Sequence, residues 1–165
     1  MRWSSVVRQC RFDCVRVDLF GLSNMLFMLL FPVLSCVAAL VLTVTGAPGQ
    51  VAVSVYGGVC GMAAVMSWMS ALSVNVAEES GGHRAMNGMI PIARTSQVAG
   101  RFLFLLVTCA MWTVDVMACS VFFAFGDMMD SGWAGAMIPS AVIFAFSLIV
   151  GSILMAFSYR FTFRA

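Results

Sequence analysis

The chain has 165 residues, of which 62% are hydrophobic and only 10% are charged. A typical soluble domain is about half apolar and about a quarter charged, so this composition excludes a soluble fold and predicts an integral membrane protein. All nine cationic side chains are arginine. A Walker A phosphate-binding loop requires a lysine, so we expect any ATP to be bound by another chain.

Residues 1–18 form a basic amino-terminal segment. On a helical wheel one arc of this segment is apolar, and its members are Trp3, Val6, Val7, Cys10, Cys14 and Val17. Arg8, Asp13 and Arg16 lie outside the arc. The pattern predicts an amphipathic helix at the inner membrane surface, with Trp3 at headgroup depth. Phe12 and Val15 fall on the polar side, so a plain basic flank that orients the first span is the alternative.

Four long apolar runs follow, in the region 19–165. They cover residues 19–44, 51–76, 102–125 and 133–159. Each is long enough to cross a hydrocarbon core of about 30 Å as a helix that rises about 1.5 Å per residue. Membrane β-strands are excluded, because they run for about ten residues with alternating polarity. The fold class we expect is all-α, with four transmembrane helices.

The connections between the runs define a topology. Residues 45–50 and 126–132 are short turns, and residues 77–101 form the one long polar loop. The arginines lie before the first run, in the long loop and after the fourth run: Arg2, Arg8, Arg11, Arg16, Arg84, Arg94, Arg101, Arg160 and Arg164. All of them fall on one side of a four-span protein. The positive-inside rule therefore places both termini and the long loop in the cytoplasm of a multi-pass protein of the cell membrane.

The long loop is divided by Gly81–Gly82 and by Pro91. Residues 83–90 are predicted to form a short helix, and Thr95 or Ser96 is expected to cap a second helix that runs into the third span. Two helices with exposed Met and Ile side chains suit docking into a groove on a cytoplasmic partner. A solvated connector is the alternative interpretation.

The loop also carries a spaced pattern, in which an acidic residue and a glycine precede an apolar-Pro-apolar-small-Arg run. Its residues are Glu79, Gly82, Met89, Pro91, Ile92, Arg94, Val98 and Arg101. With Arg11-Phe12-Asp13 before the first span and Ser158-Tyr159-Arg160-Phe161 after the fourth, this pattern resembles the permease subunits of bacterial type 2 ABC-type exporters. Ala93 stands where that family usually has Ser or Thr. The family usually has about six spans, so the resemblance describes a short or truncated permease.

The resemblance implies that residues 77–101 are a cytoplasmic coupling loop, resting on a separate ATP-binding-cassette subunit. The implied coupling residues are Glu79, Gly82, Met89, Ile90, Pro91, Ile92, Arg94 and Arg101, with the arginines facing the ATPase. It implies a homodimer or a pairing with a second permease in the lipid bilayer. ATP would be hydrolysed on the partner subunit, so the chain itself is expected to be no enzyme and to hold no cofactor. We expect no nucleic-acid partner.

Polar and small residues inside the runs are the remaining candidates. Asp115 is the one ionisable residue within an apolar run, and such residues usually face a bundle interior or cavity. It is either a polar point on a transport path or a packing contact. Gly57 and Gly61 form a G-x-x-x-G step for helix packing. Cys10 and Cys14 have helical spacing, but His83 is the only histidine and is far away in sequence, so no metal site is predicted.

Two other function classes fit the same features. One is a small proton-driven transporter of the multidrug type, which would use Asp115. Such proteins resemble this one in span count, but they typically carry the essential carboxylate in the first span, which has none here. The other is a non-transporting membrane partner protein that uses the loop only for binding.

Overall fold

The computed structural model describes residues 3–80, 94–125 and 132–162. Within these ranges every regular element is a helix: α1 (Trp3–Arg16), α2 (Leu22–Thr45), α3 (Gly49–Ser80), α4 (Arg94–Phe125) and α5 (Gly132–Thr162). The helices α2 to α5 are long and apolar enough to cross a membrane. The prediction of an all-α membrane protein with four spans is confirmed to that extent.

Two spans continue as helices into the polar loop. The helix α3 runs on to Ser80, and α4 already begins at Arg94. Thr95 and Ser96 therefore lie in the first turn of α4 and not ahead of it. The helix predicted for residues 83–90 and the turn predicted for residues 126–132 lie outside the described residues, apart from Gly132, where α5 begins.

The turn between α2 and α3 explains where the first span ends. Gly46 has a φ of 62°, in the left-handed region that glycine adopts without steric cost. Its N–H donates to the carbonyl of Thr43, and the N–H of Ala47 donates to the carbonyl of Leu42. This pattern of two backbone bonds closes the helix and satisfies carbonyls that would otherwise be unpaired.

The third span is the centre of the bundle, because α4 packs against each of the other four described helices. Phe104, Cys119 and Phe123 of α4 are fully buried. Lipid is as apolar as these side chains, so their packing is favoured by close contact rather than by removal from water. Alanine and cysteine are frequent in the largest core cluster, and these small side chains let the helix axes approach.

Aromatic and apolar contacts show how the helices run. The rings of Tyr56 and Phe123 are 5.5 Å apart, so the start of α3 lies beside the end of α4. Leu105 of α4 packs with Met155 of α5, so the start of α4 lies beside the end of α5. The end of α3, the start of α4 and the end of α5 consequently share one end of the bundle, and α1 joins them there.

The arginines of the described helices belong to this same end. They lie in α1, at the start of α4 and near the end of α5: Arg8, Arg11, Arg16, Arg94, Arg101 and Arg160. The clustering agrees with the charge asymmetry in the sequence, which the positive-inside rule assigns to the cytoplasmic side.

Candidate functional site

The amino-terminal helix is docked on the stem of the third span. Val6, Cys10 and Asp13 of α1 recur at helical spacing and are buried, and α1 packs mainly against α4. The helices approach closely at Gly100. A Cβ atom at that position would lie 2.6 Å from Cβ of Gln9 and 3.1 Å from the backbone oxygen of Val6. Only glycine permits this approach without a shift of α1.

A buried carboxylate lies in the α1–α4 contact. Asp13 is 0% exposed, and Nε2 of Gln9 donates a hydrogen bond of 3.2 Å to its Oδ1. Burial raises the pKa of the Asp13 carboxyl above its usual range, and the positive charges of Arg101 and Arg16 oppose that rise without cancelling it. The arrangement joins α1 to the beginning of the third span through charge as well as packing.

Arg101, which the family resemblance implied to face an ATPase, is largely buried within the chain. Only 8% of it is exposed, and its positive charge is close enough to lower the pKa of the Asp13 carboxyl. Asp13 was assigned to the polar side of α1 and is instead fully buried. Asp13 and Arg101 carry opposite charges within the same helix contact, and the Arg101 charge offsets part of the cost of burying Asp13.

The remaining surface of α1 is mixed. Trp3 and Val7, which belong to the predicted apolar arc, are 68% and 46% exposed. Phe12 and Val15 on the other side are exposed as well. The apolar arc is thus divided: Val6 and Cys10 pack on α4, while Trp3 and Val7 are left for another apolar environment.

A short elbow joins α1 to α2. Asp18 has a φ of 52°, and Nδ2 of Asn24 donates to the backbone oxygens of Asp18 at 2.7 Å and Val17 at 3.3 Å. Asn24 lies in the first turn of α2. These bonds tie the docked helix to the first span, so α1 connects two spans of the bundle.

Most of the implied coupling residues lie outside the described part of the chain. These are Gly82, Met89, Ile90, Pro91 and Ile92. Glu79 lies in the last turn of α3 and Arg94 is the first residue of α4. Backbone positions therefore place Glu79 and Arg94 at the α1 end of the bundle, on the two helices that flank residues 81–93.

Asp115 lies inside the bundle, as the sequence predicted. It is 8% exposed, and its Oδ2 has no hydrogen-bond partner in the described part of the chain. The serines of α3 do not supply one. The hydroxyls of Ser67, Ser70 and Ser73 donate to carbonyls of their own helix. Asp115 lies one turn from Cys119, whose thiol is beside Ser35 of α2.

A cavity of about 270 Å³ lies between α2, α3 and α4, near the elbow. Its apolar lining comprises Phe27, Met28, Met69, Met111 and Trp112, with Val17 and Leu19 of the elbow. Trp112 makes edge contacts with the rings of Phe27 and Phe31 at 6.4 and 5.4 Å. Sequence reasoning missed this cavity, because its residues come from three helices whose relative placement no local pattern encodes.

The G-x-x-x-G step faces away from the rest of the bundle. A Cβ atom at Gly57, Gly58 or Gly61 would meet no atom of the described residues within 4 Å, so the expected close packing does not occur among them. Ser147 and Gly151 of α5 have the same four-residue spacing, and here the helices do pack closely. A Cβ atom at Gly151 would lie 2.7 Å from a methyl group of Leu105.

No group of three or more His, Cys, Asp or Glu side chains in the described ranges is arranged to hold a metal ion. The six cysteines are free thiols. Comparison of the chain with models of protein families, with curated proteins and with solved structures finds no match.

Proposed function

We propose that this chain is the membrane permease subunit of an ATP-driven exporter of the ABC type, in the bacterial inner membrane with both termini in the cytoplasm. Four candidate spans and the arginines gathered at one end support this proposal. ATP would be bound and hydrolysed by a separate ATP-binding-cassette subunit. Two permease chains, identical or paired, would complete the assembly.

The observation that carries the proposal is the docking of α1 on α4. The helix α4 begins at Arg94, beside the proposed coupling loop, and reaches Gly100 about 9 Å further along its axis, at 1.5 Å per residue, with Arg101 as the next residue. A helix is stiff over that length, so a force on the loop moves the start of the third span and α1 together. Through the elbow, the same displacement reaches the first span.

In this mechanism the proposed coupling residues divide by role. Glu79, Gly82, Met89, Ile90, Pro91, Ile92 and Arg94 would contact the ATPase. Arg101 would act inside the permease, where it holds α1 through Asp13. Closure of the ATPase would thereby be converted into a concerted movement of α1, α2 and α4.

A pull-down experiment tests whether the chain binds an ATP-binding-cassette subunit. The tagged chain, extracted from its native membrane in mild detergent, should retain a stoichiometric ATP-binding-cassette subunit. Ile90→Glu should remove that subunit, because a carboxylate is costly in an apolar groove. Thr45→Glu is the matched control, since Thr45 is exposed at the opposite end of the bundle. Recovery of a homo-oligomer without an ATPase would reject the exporter.

The second candidate is the proton-driven transporter, and the unpartnered Oδ2 of buried Asp115 is the observation that favours it. For the exporter we expect Asp115→Asn to leave the ATPase activity of the purified complex within about twofold of wild type, because the amide keeps the size and polarity of the carboxyl. Liposomes containing the chain alone should show no proton flux when ethidium is added. Ethidium-dependent proton flux that disappears in Asp115→Asn would establish the alternative instead.

A further inference from the structure

We propose that the cavity between α2, α3 and α4 is a binding site for small amphipathic aromatic amines in their protonated form. The site stands apart from the exporter mechanism, because it is formed within one chain and its occupancy needs no ATPase. Three properties of its lining carry the inference: where it opens, how its walls adapt and which hydrogen-bonding groups it presents.

The mouth of the cavity faces the apolar surroundings of the bundle. Phe27 and Met69 are 40% and 59% exposed, whereas Trp112 and Leu19 are only 5% and 3% exposed. The side chains at the mouth belong to α2 and α3, which contact each other over less of their length than α3 and α4 do. A ligand can therefore enter between the first two spans from the membrane itself.

The walls suit an aromatic ring of variable shape. Met28, Met69 and Met111 come from three different helices, and flexible, polarizable thioethers make favourable contacts with rings of many outlines. Trp112 and Phe27 add π-surfaces that attract a cation within about 6 Å. The cavity volume of about 270 Å³ is near the lower limit of about 300 Å³ for ligand pockets, which restricts the ligand to one or two rings.

The polar lining offers acceptors to a ligand. Asn24 uses its amide N–H groups on the backbone oxygens of Val17 and Asp18, which leaves its Oδ1 as an acceptor. The hydroxyls of Ser70 and Ser73 donate to their own helix, so their oxygens retain lone pairs for a ligand. A ligand that donates hydrogen bonds, above all an ammonium group, complements this set.

The position of Asp115 strengthens the preference for a cation. It follows Met111 by one helical turn on α4, and its Oδ2 is without a partner among the described residues. Asp115 is not part of the lining, but a carboxyl about 6 Å along the helix from a lining residue favours a cation over an anion in the cavity.

Phenethylamine and propylbenzene form a matched pair of probes, because they differ only by an ammonium group in place of a methyl group. We expect the purified chain in lipid nanodiscs to bind phenethylamine about tenfold more tightly than propylbenzene, after subtraction of uptake by protein-free nanodiscs. Equilibrium dialysis of the labelled probes measures both affinities. Equal affinities, or uptake no greater than that of the empty nanodiscs, would overturn the proposal.

Serine variants test the polar lining. Ser70→Ala combined with Ser73→Ala should weaken phenethylamine binding about tenfold and leave propylbenzene binding unchanged. Within the described residues these hydroxyls bond to their own helix, so the fold should tolerate their loss. Ser54→Ala is the control, since Ser54 also donates within α3 but is exposed and away from the cavity. An unchanged phenethylamine affinity in the double variant would reject the assignment of the site.

Discussion

Replacing Gly100 by leucine is expected to release α1 from the bundle. The new side chain would have to occupy space held by Gln9 and by the backbone of Val6, which lie 2.6 and 3.1 Å from an ideal Cβ. Overpacking of this kind costs about 1–3 kcal/mol in a close-packed contact. Since α1 packs mainly against α4 and little against the other helices, we expect it to detach while the four spans remain folded.

The thiol of Cys10 reports this release directly. Burial, with a smaller effect from the nearby Cys14, raises the pKa of the Cys10 thiol to about 12, so little reactive thiolate forms. Detachment should return the thiol to water and raise its rate of maleimide labelling at least about tenfold, because thiolate becomes available. Mass spectrometry of the labelled peptides measures Cys10 separately from the other cysteines.

Gly58→Leu is the matched control for Gly100→Leu. A Cβ atom at Gly58 meets no atom within 4 Å, so the same enlargement should leave the labelling of Cys10 unchanged. Gly100→Ala provides a milder test if the leucine variant folds poorly, because its Cβ alone already contacts Gln9. A folded Gly100→Leu protein whose Cys10 remained as protected as in wild type would show that α1 is not held at Gly100.

The packing around these glycines shows which features of the fold can be predicted from the sequence and which cannot. Span length and arginine placement predicted four helices and the end of the bundle to which the charges belong, because both depend only on local composition. The G-x-x-x-G spacing pointed to Gly57 and Gly61, which face outward. The close contact is at Gly100, where no local pattern distinguishes a helix crossing from an open surface.

The amino-terminal helix shows a second limit. A helical wheel separates apolar from polar side chains, but it cannot tell a face that meets lipid from a face that meets another helix, because both are apolar. Asp13 is buried in that face under the influence of the Arg101 charge, which lies 88 residues later in the chain. Asp115 was found because a single acidic residue in an apolar run is itself a local signal, whereas the cavity beside it was not.

Arg101→Met is expected to be among the most destabilising single changes in the described part of the chain at neutral pH. It keeps most of the side-chain volume but removes the positive charge that most strongly lowers the pKa of the fully buried Asp13. Removing the charge that opposes a buried carboxylate costs at most about 3–5 kcal/mol, the loss seen when a buried ion pair is broken from one side. The free energy of unfolding, measured by titration with sodium dodecyl sulfate in mixed micelles, should fall by about that amount. Arg8→Met, on the exposed face of α1, should change it by less than about 0.5 kcal/mol.

The loss of stability in Arg101→Met should depend on pH, and the raised pKa of Asp13 fixes the direction of this dependence. Burial raises the pKa of Asp13 in the folded protein, so the folded state holds this proton more tightly than the unfolded state does. The resulting stability is fully present below the ordinary pKa of about 3.9 and is lost as pH rises through the raised pKa. Removing Arg101 takes away a charge that lowers the pKa of Asp13. In Arg101→Met the loss of stability with rising pH should therefore be larger and continue to a higher pH than in wild type.

Asp13→Asn in the Arg101→Met background separates charge from packing. The amide cannot ionise, so the double variant should lose this pH dependence and recover most of the stability at neutral pH, because no uncompensated charge is then buried. Recovery would show that the opposite charges of Asp13 and Arg101 help to hold α1 on the third span. If Arg101→Met were as stable as Arg8→Met at every pH, the charges would not hold α1 in place. The close approach at Gly100 would then be the contact that holds it, and the proposed transmission of force would depend on packing alone.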